Sequence, residues 1–362
     1  MRKSSFAIAG AGCALSFGYA SAADISTATT TPVSTSTVEA GSPGDIHITS
    51  TGSITLTTLP NTTAVTLDSD NSVLNEGVID IANSDNATAI LITGGVMGSV
   101  RSSSTITVDE DYTRTDTDND GDLDGAFATG SGRTALLLDG GGAFNGDIVF
   151  AGGAVTVEGN QSAVIRFMSV LNGGFANDSA LAIIGDNAFA IDAQQDVVGD
   201  FLQSGSISSR GLNAVGVSIK GDVGGGITNE GAVVSTGFAS TTISNYADPD
   251  TLDADDIPIA DRIDAEDLLD NGPAFAIGGN VANGFLNNGP IGGRAADDTV
   301  KDAIEDFDEN RSVGAISSIG SGPAVLVSPD WSGLAGDIVI GQAVEKVRDT
   351  LDDDEDDDTE EL

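Results

Sequence analysis

Residues 64–92 contain Ala64-Val65-Thr66-Leu67, then Asn75-Glu76-Gly77-Val78-Ile79-Asp80-Ile81, then Ala89-Ile90-Leu91-Ile92. In each run Val, Ile and Leu alternate with other residues at period 2, so a strand formed there turns one apolar face inward. Asn and Gly stand between the runs. Both take tight-turn or left-handed backbone conformations at little cost, which suits them to corners.

The pattern recurs outward in both directions. An Ala followed by an alternating apolar run begins at Ala64, Ala89, Ala135, Ala163, Ala188, Ala214, Ala274 and Ala324, with steps of 25, 46, 28, 25, 26, 60 and 50 residues. The long steps each hold an acidic block, so one unit of about 25 residues, interrupted by insertions, accounts for all of them. Second runs such as Gly146-Asp147-Ile148-Val149 and Gly336-Asp337-Ile338-Val339 follow the first, and corners stand at Asn75-Glu76-Gly77, Asn229-Glu230-Gly231 and Asn288-Gly289. Third runs such as Val78-Ile79-Asp80-Ile81 complete the unit. Three strands and three corners make one coil of a parallel β-helix, an all-β solenoid whose coils bury their apolar faces only when stacked. Roughly nine or ten coils, spaced about 4.8 Å apart, make a rod near 45 to 50 Å long. A β-propeller repeats at about 40 to 50 residues, and a β-sandwich has no reason to repeat at this period.

The composition bounds the function. The 362 residues carry 56 Asp plus Glu against 14 Lys plus Arg, a formal charge of −42. Such a surface repels phosphate backbones and anionic headgroups, which argues against nucleic acid and peripheral membrane partners. One His and one Cys leave little material for triads or thiolate zinc sites. Mean hydropathy near zero and 40% hydrophobic residues argue for a folded chain.

Residues 1–22 are expected to be a signal peptide: Met1-Arg2-Lys3 is the positive start, Phe6 to Gly18 the apolar run, and Ala20-Ser21-Ala22 the cleavage site. Gly10-Ala11-Gly12 before Cys13 lacks the Leu that opens a lipobox, and no later run is long enough for a membrane helix. Residues 23–45, rich in Ser and Thr with Pro32 and Pro43, read as a mobile lead-in. The β-helix then occupies 46–344, with insertions near 109–125, 245–270 and 295–310, and 345–362 is an acidic tail. Each insertion follows a third run and precedes the next Ala, so all three are expected to leave from one edge of the solenoid. The insertions and tail hold 36 of the 56 acidic residues. They fit a binding edge, and equally a solubilising fringe that blunts sticky strands. Val300, Ile304 and Phe307, at helical spacing, fit a short helix packed on the rod.

One motif carries coordination chemistry. Asp116-Thr117-Asp118-Asn119-Asp120-Gly121-Asp122-Leu123-Asp124 follows a D-x-D-x-D-G calcium loop, in which alternate carboxylates on a chain turning at Gly supply hard oxygens. Asp116, Asp118 and Asp120 would give side-chain oxygens, Asp122 its carbonyl, and Asp124 a direct or water-mediated contact. Position 12 is Phe127 rather than Glu, so a bidentate ligand would have to come from Asp109, Glu110 or Asp111. The alternative is an acidic loop that matches by composition alone.

Other signals are weaker. His47, in Ile46-His47-Ile48, would point outward and is not expected to be catalytic. Gly130-Ser131-Gly132 is no nucleophile elbow. The Asp255-Asp256 and Asp297-Asp298 pairs are expected in loops this acidic, and Gly140-Gly141-Gly142 precedes a strand rather than a phosphate-binding helix. Asn61-Thr62-Thr63 and Asn86-Ala87-Thr88 matter only on a eukaryotic secretory route.

Together the leader, the Ser/Thr-rich start, repeats such as Ile227-Thr228-Asn229-Glu230-Gly231 and the Asp-x-Asp-x-Asp-Gly insertion resemble the passenger domain of a bacterial autotransporter. The resemblance covers most of 45–344 and is architectural. It implies export to the bacterial cell surface, outer membrane or medium. It also implies adhesion, aggregation or a surface-structural role, and a receptor on a host cell, a neighbouring cell or a glycan. It supplies no catalytic residues. Autotransporters end in an outer-membrane β-barrel, and no such strands occur here, so the chain reads as a truncated or split passenger. The alternatives are a calcium-dependent polysaccharide lyase or hydrolase on a β-helix, for which Arg114 and Arg133 are the basic residues beside the loop, and a calcium-stabilised surface-layer protein.

Overall fold

Each coil lays down three short strands and adds one to each of three sheets. The computed structural model describes residues 22–115, 125–237, 271–288, 291–293 and 315–329. Among these the sheets hold nine, ten and nine strands, and every strand pairing is parallel. One coil shows the plan, with Val73–Asn75 in the first sheet, Val78–Ala82 in the second and Thr88–Thr93 in the third. Val73 lies between Ile46 and Val100, Ile79 between Ile54 and Ile106, and Ile90 between Val65 and Leu136. This is the parallel β-helix that the 25-residue period predicted.

The inward residues form one continuous core along the rod. Aromatic rings meet along it: Phe175 and Phe201, on successive first-sheet strands, lie 4.8 Å apart between centroids, while Phe167–Phe175, edge-on at 5.5 Å, and Phe275–Phe285 at 5.2 Å join the third sheet to the first. In the third sheet two successive residues of each coil are buried in this core: Ala64 and Val65, then Ala89 and Ile90, then Ala135 and Leu136. That double step breaks strict alternation. Residue pairing then makes Val164, Ala190 and Gly216, rather than Ala163, Ala188 and Ala214, the equivalents of Ala64.

Polar residues hold coil to coil at the corners. Asn75, Asn177, Gln203 and Asn229 end first-sheet strands and are buried. Their amides bond along the stack: Asn75 Nδ2 donates to Ser102 Oγ at 3.0 Å, Asn177 Nδ2 to Gln203 Oε1 at 2.9 Å, and Asn229 Nδ2 to Asn287 Oδ1 at 2.7 Å. These asparagines are therefore internal bonding groups. Left-handed backbone occurs instead at the second-to-third corner, where Asn61, Asn86, Gln161, Asn187 and Asn213 have φ of 51° to 57°. Aspartates add staples on the outside. The Oδ1 atoms of Asp45, Asp147, Asp186, Asp196, Asp200 and Asp222 each accept a backbone N–H from the next coil at 2.8 to 3.0 Å.

Two expectations need correction. The Ser/Thr-rich lead-in is in fact the first coil, with strands Ala22–Ile25, Ala28–Thr29 and Val33–Ser34 paired to the coil above. Its hydroxyls are ordered by Asp68, whose carboxylate accepts from Ser34, Thr35 and Ser36. The first two insertions leave between the second and third sheets, after Ile106–Asp109 and after Val233–Thr236. The third does not. It follows Ile291–Gly293, and the chain then re-enters the same sheet as Ile316–Ile319, which lies between that strand and Val233–Thr236. All of the expected signal peptide 1–22 except Ala22, which opens the strand Ala22–Ile25, lies outside the described residues, as do residues 245–270 and 295–310, the expected helix at Val300, Ile304 and Phe307, and the acidic tail.

Candidate functional site

The expected calcium ligands Asp116, Asp118, Asp120, Asp122 and Asp124 lie outside the described residues, but both ends of their loop are described. The base is closed by Glu110, whose carboxylate accepts from Thr129 Oγ1 at 2.9 Å and Gly130 N at 2.7 Å, and also from Thr129 N. Arg133 completes the clamp with its side chain only 3% exposed. Its Nη1 meets Glu110 Oε2 at 3.1 Å and donates to the Glu158 carbonyl at 2.7 Å, while Nε donates to the Ser84 carbonyl at 3.1 Å. Nη2 reaches Asp85 Oδ1 at 3.4 Å. Above this base the Arg114 guanidinium lies 4.8 Å from the centroid of the Phe127 ring, which is itself buried. Phe127, at position 12 of the motif, is thus a packing residue that anchors the returning chain.

The geometry sorts the three proposed supplementary ligands. Glu110 is committed to the clamp. Asp111 is held by Asn83, whose Nδ2 donates to Oδ2 at 2.7 Å. Asp109 is left; it follows Val108, whose partner Val157 on the next strand precedes Glu158. Burial pushes the Asp109 carboxyl up, and the negative charges of Asp80 and Asp111 push it further. Glu158 is raised by burial and then by the charges of Glu110 and Asp109. Burial also opposes ionisation of Glu110, but its hydrogen bonds from Thr129 and Gly130 and the Arg133 charge outweigh that and hold its carboxyl below the usual range. Two carboxyls whose ionised forms are disfavoured therefore stand beside the neck of the loop. No group of three or more His, Cys, Asp or Glu among the described residues is placed to hold a metal.

The remaining sequence signals fall into structural roles. Both nitrogens of His47 are engaged by carboxylates of neighbouring coils. Ser131 N donates to Asp85 Oδ1 at a corner, and Gly140 and Gly142 pack against Gly94 and Gly95 of the coil below. Asp255-Asp256 and Asp297-Asp298 lie outside the described residues. On the outer face of the third sheet is a group the sequence reading did not single out. Asp192 is fully buried between Arg166 Nε at 3.1 Å and Lys220 Nζ at 3.7 Å, and both cations lie near the Phe189 ring. Only the spacing of 26 between Arg166 and Asp192, one coil, signals that pair in the sequence.

Compared with known proteins, the chain matches no protein-family model, no curated protein and no solved structure.

Proposed function

We propose that this chain is an exported cell-surface β-helical protein of the autotransporter-passenger kind, acting by contact in adhesion, aggregation or surface structure rather than by catalysis. The observation that carries this reading is where the reactive groups go. Among the described residues, His47, Arg133 and the corner aspartates are spent on bonds between coils. Most of the acidic charge lies in the sequence segments that interrupt or follow the repeat. The partners this suits are a host-cell, neighbouring-cell or glycan receptor, with an outer-membrane β-barrel in the full-length protein as the anchor.

Calcium belongs to the same proposal. Asp116, Asp118, Asp120, Asp122 and Asp124 would hold it, with Asp109 as the supplementary carboxylate. The clamp at Glu110 and Arg133 supports this, because a loop pinned at its base loses less entropy on closing around an ion. Limited trypsin digestion at Arg114, with and without millimolar calcium, tests it. Calcium should slow cleavage in the parent and leave Asp118→Ala and Asp120→Ala unaffected, whereas equal parental rates in both conditions would remove calcium from the account.

The enzymatic alternative loses support at Arg133, whose enclosed guanidinium is unavailable as a base. Sustained calcium-dependent release of unsaturated product from pectin or alginate would restore it. Calcium-triggered self-association by light scattering would instead favour a surface-layer array.

A further inference from the structure

Most of the described cations already have partners. Arg133 and Arg166 pair with carboxylates, Lys220 shares Asp192 with Arg166, and Arg114 lies over the Phe127 ring. The side chains of Arg101 and Arg210 make no ion pair, hydrogen bond or ring contact among the described residues. Arg101 stands in the outward row of the first sheet, between Leu74 on the coil below and Val149 on the coil above.

A groove of about 300 Å³ opens beside Arg101, at the lower end of the range for small-ligand sites and suited to a single sugar ring. Gly98 and Gly146 line it with bare backbone. A Cβ on Gly146 would sit 1.7 Å from the Gly98 carbonyl oxygen, so this corner takes no side chain there. Val149 gives the groove an apolar wall, and Ser72, Ser99 and Asp147 give it polar atoms. Ser72 Oγ accepts from Ser99 N and from Ser99 Oγ, each at 3.1 Å, which leaves the Ser72 O–H to donate. Asp147 Oδ1 accepts from Gly174 N at 2.8 Å, and its Oδ2 has no partner among the described residues. A guanidinium fork and a carboxylate oxygen thus border one space without pairing with each other.

We propose that this groove is a glycan subsite, in which Arg101 pairs with the carboxylate of a terminal acidic sugar while Asp147 and Ser72 hydrogen-bond the hydroxyls of the same ring. The inference rests on the contact role proposed above and names its ligand. A planar guanidinium meets a carboxylate through two parallel N–H···O bonds, each roughly twice as strong as a neutral one. An ionised Asp147 only accepts, so it suits hydroxyl donors and turns away a second carboxylate. The net charge of −42 makes a polyanion a poor partner. The glycan that fits therefore carries one carboxylate at its tip, as a sialate or a uronate cap, rather than one on every unit. A peptide carboxylate would engage Arg101 but brings no ring hydroxyls to Asp147 and Ser72.

Saturation-transfer NMR of the full chain tests the subsite. Sialyllactose and glucuronic acid are the acidic probes, lactose the neutral one, and N-acetylglutamate the carboxylate without a sugar. At least one acidic sugar should receive saturation, and which of the two does so identifies the cap; lactose and N-acetylglutamate should receive much less. Arg101→Gln should weaken binding about tenfold, the scale of a lost charge-assisted bond. Arg101→Lys, which keeps the charge but loses the fork, should weaken it less, and Arg210→Gln should leave it unchanged. Should an Arg101 variant lose hydrogen-exchange protection over 163–219, Asp147→Asn carries the test and must weaken binding. No response from either acidic sugar, an equal response from lactose or N-acetylglutamate, or unchanged affinity in Arg101→Gln overturns the subsite. Such a result leaves the cell-surface reading standing, because surface labelling of whole cells tests export without any sugar.

Discussion

Arg133 shows how a single side chain is fixed by its acceptors. Its guanidinium meets two backbone carbonyls and two carboxylates from three coils. Arg133→Ala should cost roughly 3 to 5 kcal/mol, because the buried Glu110 carboxylate would lose its counter-charge and the Ser84 and Glu158 carbonyls would lose the guanidinium donors. Denaturant unfolding or hydrogen exchange over 106–139 reads that loss, and a cost near zero would mean that the clamp carries no load. Glu110 adds a pH dependence. Its lowered carboxyl stabilises the clamp above the unfolded carboxylate range and releases it as pH falls through the folded value. Exchange at Thr129 and Gly130 should therefore rise on acidification. Asp109 behaves in the opposite sense, since its raised carboxyl makes the ionised form unfavourable. Asp109→Asn should stabilise the calcium-free protein by about 0.2 to 1 kcal/mol, the scale of a like-charge cross-strand pair. The same change should weaken calcium binding, which calorimetric titration would measure.

Between the coils, the buried amide ladder does the work that sequence reasoning assigned to turn geometry. Asn229 donates both to the Gly231 carbonyl and to Asn287. Asn229→Ala should cost about 1 to 3 kcal/mol, measured by denaturant midpoint, as the Gly231 carbonyl loses its partner in the interior. The coil was legible because period 2 within strands and a spacing near 25 between them are both linear in the chain. What was not legible depends on contacts across coils. Asn75 and Asn61 look alike in sequence, yet one bonds Ser102 inside the rod while the other sits in a left-handed corner. The Ala register shifts by one at Ala163 because the third sheet turns two neighbours inward, and the Ser/Thr-rich start reads as mobile because its partner, Asp68, lies a full coil away. The re-entrant strand at Ile316–Ile319 had no local mark, since it reads like any other strand. At the candidate site the Asp-rich loop was visible as a motif, while the Glu110–Arg133 clamp was not, its members being 23 residues apart around an insertion.

The whole molecule behaves as a one-dimensional stack, since strands contact the coils above and below and the adjoining faces. Damage should stay local. Phe201→Ala, which empties the ring stack at Phe175, should cost about 3 to 5 kcal/mol and raise exchange chiefly over 175–229, leaving residues 45–93 protected. Uniform loss of protection along the rod would show a single cooperative unit instead. The proposed use of the stack rests on a described interior and corners that bond to themselves, and on a sequence that gathers most of its acidic residues in the segments that interrupt or follow the repeat. The most direct test of that claim is antibody labelling of intact, unpermeabilised cells that produce the chain, using a serum raised against the folded rod. Labelling of intact cells that is removed by external protease is the result the account predicts; signal that appears only after permeabilisation would contradict it.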